Sequence, residues 1–227
     1  MKKRTQGDKR AFRMELLRPA ATDFRFLLSR KYPRKSALNF VGNHYQLSSV
    51  ERNLLYRSVF TRAVARKRRA KTVRIGELAG RKLVIDGYNC LITLENAMKE
   101  KALVLADDGF VRDTGLVFRG FRQSALTRKA WFLVTSVLKR YRPSFVHVML
   151  DEPYARSGEL AVLVNRWMAE EGVHGHAETT RNTERQIAAM EGIKATADSN
   201  IIDHADMVFD MAGHVIRYIL KKRLIRM

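Results

Sequence analysis

Hydrophobic positions change their spacing along this chain. Up to about residue 75 nothing reads as a strand, and apolar side chains fall at helical intervals. Phe24, Leu27 and Leu28 share one face of a predicted helix over 20–30. Tyr32-Pro33 ends it, because the residue before proline disfavours helical geometry. A second short helix follows. Ser48-Ser49-Val50-Glu51 has capping-box spacing and opens a third helix, with Val50, Leu54, Val59 and Phe60 on its apolar face. That helix runs on into Arg62, Arg66, Lys67, Arg68, Arg69 and Lys71, cations that suit a helix C-terminus.

Beyond a boundary near Gly76–Gly80 the pattern becomes an alternation. Short apolar, β-branched runs at 82–86, 145–151 and 193–197 read as strands, as do 173–177 and a segment near 207–211. Between them, 122–141 repeats Leu126, Ala130, Leu133, Val134, Val137 and Leu138 at three and four. Leu160, Leu163, Val164, Trp167 and Met168 mark another amphipathic helix, 182–190 a third, and a C-terminal helix closes the chain. Residues 102–120 read as an inserted hairpin turning at Asp107-Asp108-Gly109, with Asp107, Asp108 and Asp113 as turn residues. This alternation predicts a mainly parallel sheet covered by helices on both faces, a three-layer α/β/α domain over 79–227 behind a small all-α basic domain over 1–78.

Charge then narrows the partner. Forty-three Lys and Arg against twenty-three Asp and Glu give +20, a field that draws polyanions and binds phosphate through counterion release. RNA is the expected partner, free or in a structured assembly such as the ribosome, with DNA open. Arg34, Lys35, Arg62, Arg66, Lys67, Arg68, Arg69 and Lys71 are the expected phosphate contacts. The basic residues are spread over the whole chain rather than gathered on one amphipathic helix, which argues against a membrane surface. The lack of a long apolar run and of an apolar export signal leads to the expectation of a cytoplasmic protein. A single cysteine, Cys90, excludes an intrachain disulfide and a cysteine zinc cage.

Three aspartates stand at equivalent places: Asp86 closes Leu-Val-Ile, Asp151 closes His-Val-Met-Leu, and Asp198 closes Lys-Ala-Thr-Ala. In a parallel sheet they lie at one carboxyl edge, where α/β folds place their sites. Aspartate there also serves simply as a helix cap. Three of them in a polybasic chain favour a site in which a hard cation, Mg²⁺ or Mn²⁺, offsets their mutual repulsion. The chemistry implied is metal-assisted phosphodiester hydrolysis. Asp203 and Asp206 are candidates for an outer role, Glu152 a weaker one, and Asn89 can turn its amide toward a phosphate or a bound water.

Leu83-Val84-Ile85-Asp86-Gly87-Tyr88-Asn89 resembles the opening of PIN-like and NYN nuclease domains, and Thr196-Ala197-Asp198-Ser199 followed by Asp203 resembles their late acidic motif. The resemblance implies a ribonuclease with Asp86, Asp151 and Asp198 as metal ligands, Asp203 assisting and Asn89 positioning substrate. The mid-domain helical acid of those nucleases has no single counterpart here, Glu159, Glu178 and Glu184 being the alternatives. Tyr32–Leu38 together with Glu51–Leu55 is similar to the uncharacterised, mainly archaeal domain-of-unknown-function family 434, whose members carry such a C-terminal domain. The competing readings are a non-catalytic RNA- or ribosome-binding protein on the same fold, and a phosphatase or nucleotide hydrolase using the same acids.

Other residues carry simpler readings. His174 and His176 alternate on a strand near an edge, and His147 and Cys90 read as packed side chains. Tyr88, Tyr154, Trp131 and Trp167 are stacking candidates, the tryptophans fitting a core better. No Walker-type or dinucleotide-type glycine loop appears, which disfavours an NTPase or a dehydrogenase.

Overall fold

The computed structural model describes residues 12–114, 121–152 and 156–227. Helix α1 (Met14–Ser29) buries Leu17, Ala20, Ala21 and Phe24 on one stripe. It begins earlier than expected because burial of Leu17 outweighs the hydrogen bond Pro19 cannot donate. Helix α2 (Arg34–His44) starts directly after Pro33. Helix α3 (Ser49–Ser58) has the expected capping box, Glu51 N donating to Ser48 Oγ at 3.3 Å and Ser48 N to Glu51 Oε2 at 2.9 Å. The hydrogen bond from Arg13 pulls the Glu51 carboxyl down to about 2.

The third helix does not run through to Lys71. Val59 leaves helical geometry, and Thr61 caps a separate helix α4 (Arg62–Ala70) by accepting from Val64 N at 3.2 Å. The break lets two consecutive bulky residues point apart. Val59 enters the core of α1–α3, while Phe60 joins Ala65 and Ala106 in another cluster.

After a 3₁₀ turn at Ile75–Leu78 come β1 (Lys82–Asp86), α5 (Gly87–Met98), β2 (Leu103–Leu105), β3 (Val111–Asp113), α6 (Ala125–Tyr141), β4 (Phe145–Asp151), α7 (Ser157–Glu170), β5 (Gly175–Thr180), α8 (Thr183–Ala189), β6 (Ile193–Ala195), α9 (Ser199–His204), β7 (Val208–Phe209), α10 (Met211–His214), a π-helical turn at Val215–Ile219, and β8 (Ile225–Arg226). The main sheet has the order β5-β4-β1-β6-β7, all pairs parallel. Its two faces are read off β1: Leu83 and Ile85 pack with Leu91, Trp131 and Val164, and Val84 packs with Met149, Ile187 and Ile201. Helices therefore cover both sides. Strand order reverses around β1, so the crevice outside the carboxyl ends of β1 and β6 is the switch point where such sheets bind ligands. Among the described residues no helix is long and apolar enough to cross a membrane.

The inserted hairpin forms as β2 and β3, Leu103 opposite Asp113, while 115–120 lie outside the described residues. An element not expected is β8, which adds to β2 in parallel, Val104 beside Ile225. Val104 also sits in the core of the helical part with Leu17, Phe24, Leu54 and Leu55, so the first 78 residues do not close their core alone.

The hairpin aspartates are more than turn residues. Asp108 is fully buried and accepts from Arg112 at 2.7 and 2.9 Å and from Arg68 at 2.9 Å. Burial pushes its carboxyl up, but Arg112 and Arg68 outweigh that and hold it below the usual range. Arg68 also grips Asp203 at 2.8 and 2.7 Å, and Arg112 Nε donates to Ala197 O at 2.8 Å. Asp107 takes Arg25 in a two-bond pair at 3.0 Å and accepts Phe60 N at 2.9 Å, while Asp113 accepts from Thr93 at 3.2 Å.

Removing one partner of a buried ion cluster strands the others. Asp108→Ala is expected to lower unfolding free energy by ~3–5 kcal/mol, and exposed Asp206→Ala to stay within about 0.5 kcal/mol of wild type, in urea denaturation followed by circular dichroism.

Candidate functional site at the carboxyl edge

Asp86 reaches the edge because β1 passes straight into α5. A Cβ on Gly87 would lie 2.6 Å from Leu150 Cδ2 and 3.0 Å from Met149 O, so only glycine lets the helix start this close to β4. Asp86 caps that helix through Oδ1, accepting Asn89 N at 3.3 Å, and its Oδ2 accepts the Thr196 hydroxyl at 2.9 Å. The same hydroxyl oxygen accepts Asp198 N at 3.0 Å. Asp198 in turn caps α9, its Oδ1 accepting Asn200 N at 2.8 Å and Ile201 N at 3.2 Å. One threonine thus sets the strand-end Asp86 and the loop residue Asp198 relative to each other. Asp151, at the end of β4, is partly exposed.

The electrostatics single out Asp86. Burial pushes its carboxyl up to about 7, the Thr196 hydrogen bond opposes the rise, and the charges of Asp198 and Asp151 add to it. An all-oxygen set of this kind suits a hard divalent cation, and Mg²⁺ needs only one or two carboxylates besides water and phosphate. The three expected ligands do not form a ready cage. Among the described residues no group of three or more His, Cys, Asp or Glu is placed to hold a metal ion.

Two expected site residues are engaged elsewhere. Asn89 is buried and its Oδ1 accepts Ala197 N at 3.0 Å, which fixes the β6–α9 loop rather than presenting that oxygen to a substrate. Asp203 faces away from the edge into Arg68, because α9 carries it round to the α4 side. Of the three glutamates, Glu159 pairs with Arg156 and Glu178 with His147, whereas Glu184 accepts from Asn200 beside Asp198 and shares a cavity of about 590 Å³ with Asp151. Glu152 pairs with exposed Arg181.

The expected phosphate contacts divide in the same way. Arg34 NH2 donates to Val59 O at 2.8 Å and to Tyr56 O, closing the end of α3, and burial lowers its guanidinium to about 10. Arg68 is buried in the ion cluster. Lys71 Nζ donates to Ile202 O at 2.9 Å and Asp203 O at 2.7 Å, capping α9, and Arg69 donates to Asp107 O. Lys35, Arg62, Arg66 and Lys67 are exposed, with no intramolecular partner among the described residues. Their neighbours were drawn inward because Arg68 follows Ala65 by three on the buried stripe of α4.

Tyr88, Trp131, Trp167 and Cys90 are core side chains, and His176 on edge strand β5 and His174 just before it lie exposed. Tyr154 lies outside the described residues. Sequence reasoning missed Thr196, whose value depends on two partners distant in the chain, and Tyr56, Arg57 and Arg112. These three line a cavity of about 650 Å³ between α3, α4 and the Asp198 loop.

Residues 75–214 match the family Domain of unknown function (DUF5616), and residues 16–71 match Protein of unknown function (DUF434), the family to which the N-terminal motifs are similar. An uncharacterized protein of Methanocaldococcus jannaschii is 32% identical over 205 residues, covering 89% of this chain and 98% of that protein. No solved structure matches the chain.

A carboxyl raised to about 7 from 3.8 favours folding while it is protonated. That contribution is complete below about pH 4, declines as pH rises and is gone above about 7. Asp86→Asn is therefore expected to stabilise the protein in EDTA at pH 8 by roughly 2–4 kcal/mol, with the gain vanishing toward pH 4, in paired thermal melts.

Proposed function

The chain belongs to the family Domain of unknown function (DUF5616), and we propose that it is a divalent-cation-dependent nuclease, hydrolysing RNA phosphodiester bonds on a PIN-like scaffold. The observation that carries this reading is Asp86, held near neutrality at the switch point of a parallel sheet by burial and by the charges of Asp198 and Asp151. Such an arrangement opposes stability at physiological pH, and groups of this kind gather where chemistry or a cation uses them. The net charge of +20 supports a polyanionic substrate.

Asp86, Asp198 and Asp151 would hold the cation. Bound Mg²⁺ or Mn²⁺ supplies activation of water and neutralises charge on the leaving oxygen. Thr196 positions Asp86 through its hydroxyl proton and the Asp198 loop through its oxygen. Asn89 holds the same loop from below. Lys35, Arg62, Arg66 and Lys67 offer the flexible, unpaired cations that grip a phosphate backbone, so affinity falls with salt.

A second reading, a non-catalytic RNA-binding protein, has one observation in its favour. Asp86 and Asp198 both cap helices, and no closed three-residue cage stands ready among the described residues.

Labelled single-stranded and structured RNA and matching DNA are incubated with the protein in Mn²⁺, Mg²⁺ or EDTA. Metal-dependent cutting of RNA is expected, with Asp86→Asn and Asp198→Asn losing about 100-fold or more while keeping RNA affinity. Thr196→Val is expected to slow cutting roughly 10–100-fold with affinity unchanged. Tight, salt-sensitive binding without cutting on any substrate establishes the binding protein instead.

A further inference from the structure

We infer that the cavity between α3, α4 and the Asp198 loop is a pocket for one unpaired nucleotide of the substrate strand, with Tyr56 as its stacking wall. The inference rests on the phosphodiester reading of the acidic edge, since Asp198, which lines the cavity, would set that nucleotide beside the linkage to be cut. The volume, about 650 Å³, lies within the range of small-ligand sites.

Tyr56 lines the cavity and is 38% exposed, so its ring is open to a ligand. The Arg34 guanidinium, which lines the same cavity, stacks on its ring, 4.9 Å from the centroid. Arg34 is itself fixed by two backbone carbonyls and by the Phe60 ring, whose centroid lies 4.7 Å away. A ring held rigid by a stacked cation loses little freedom when a base settles on it. The guanidiniums of the lining are already engaged, Arg68 and Arg112 by Asp108 and Arg57 by Asp113, so the aromatic face rather than a surplus of cations is what the cavity offers a nucleotide.

The pocket selects against duplexes by shape. It is a recess between two helices and a loop, and a paired base enters it only by leaving its stack. The helical part of the chain is thus one wall of the substrate site, and single strands are its ligand.

Binding of a labelled 12-nucleotide single-stranded RNA and of the matching duplex is measured by fluorescence anisotropy in EDTA, on the full chain. Tyr56→Ala and Tyr56→Leu are expected to weaken single-strand binding about 5- to 150-fold and to leave duplex binding unchanged. Tyr56→Phe and Tyr56→Trp are expected to retain it. Single-strand affinity unaffected by Tyr56→Leu, equal loss on both ligands, or no binding of either by wild type overturns the pocket. Because no cutting is needed, this series stands apart from the nuclease test: metal-dependent cutting with Tyr56→Leu binding like wild type overturns the pocket alone, and a Tyr56 effect without cutting overturns the nuclease reading alone.

Discussion

Arg68, Asp108 and Arg112 form a buried ion cluster that joins the helical part of the chain to the loop carrying Asp198. Arg68 comes from α4, Asp108 and Arg112 from the β2–β3 hairpin and its turn, and the free ends of the two guanidiniums reach Asp203, Ala197 and Ser199 around α9. Charges this deep cost several kcal/mol each to desolvate, and an apolar replacement of the same volume often serves stability as well. What the cluster provides is a single arrangement. It locks the helical part against the sheet and fixes the loop that carries Asp198, so the cavity between them has a set shape.

The acidic edge follows the opposite logic. Asp108 is fully paired, whereas Asp86 stands against two like charges with a hydroxyl and an amide as its partners. Asp108 is fully buried beside two guanidiniums and Asp86 half-buried beside two carboxylates, and their carboxyls move in opposite directions because of that company.

Much of the fold was legible in the sequence because it rests on local signals. The Ser48–Glu51 capping box, the β-branched run ending at Asp86 and the long periodic stretch of α6 each state their element within a dozen residues. What escaped was set by distant partners. The break at Val59–Thr61 depends on two cores that exist only after folding, and β8 is two residues long with no pattern of its own. Of the three aspartates expected at strand ends, Asp86 and Asp151 close β1 and β4, while β6 stops at Ala195 and leaves Asp198 in the loop as the cap of α9. The direction of Asn89 and Asp203 could not be read from spacing, since proximity in a motif says nothing of which face a helix turns. Arg68 was read as a surface cation within a basic run, although its spacing from Ala65 placed it on the inward stripe.

The most direct measurement is the titration of the Asp86 carboxyl by carbon NMR on aspartate-labelled protein, assigned with Asp86→Asn and repeated in saturating Mg²⁺. A midpoint near 7 without metal, driven well down by Mg²⁺, is the expected result. A midpoint in the ordinary carboxylate range that Mg²⁺ does not move contradicts a cation site at this edge.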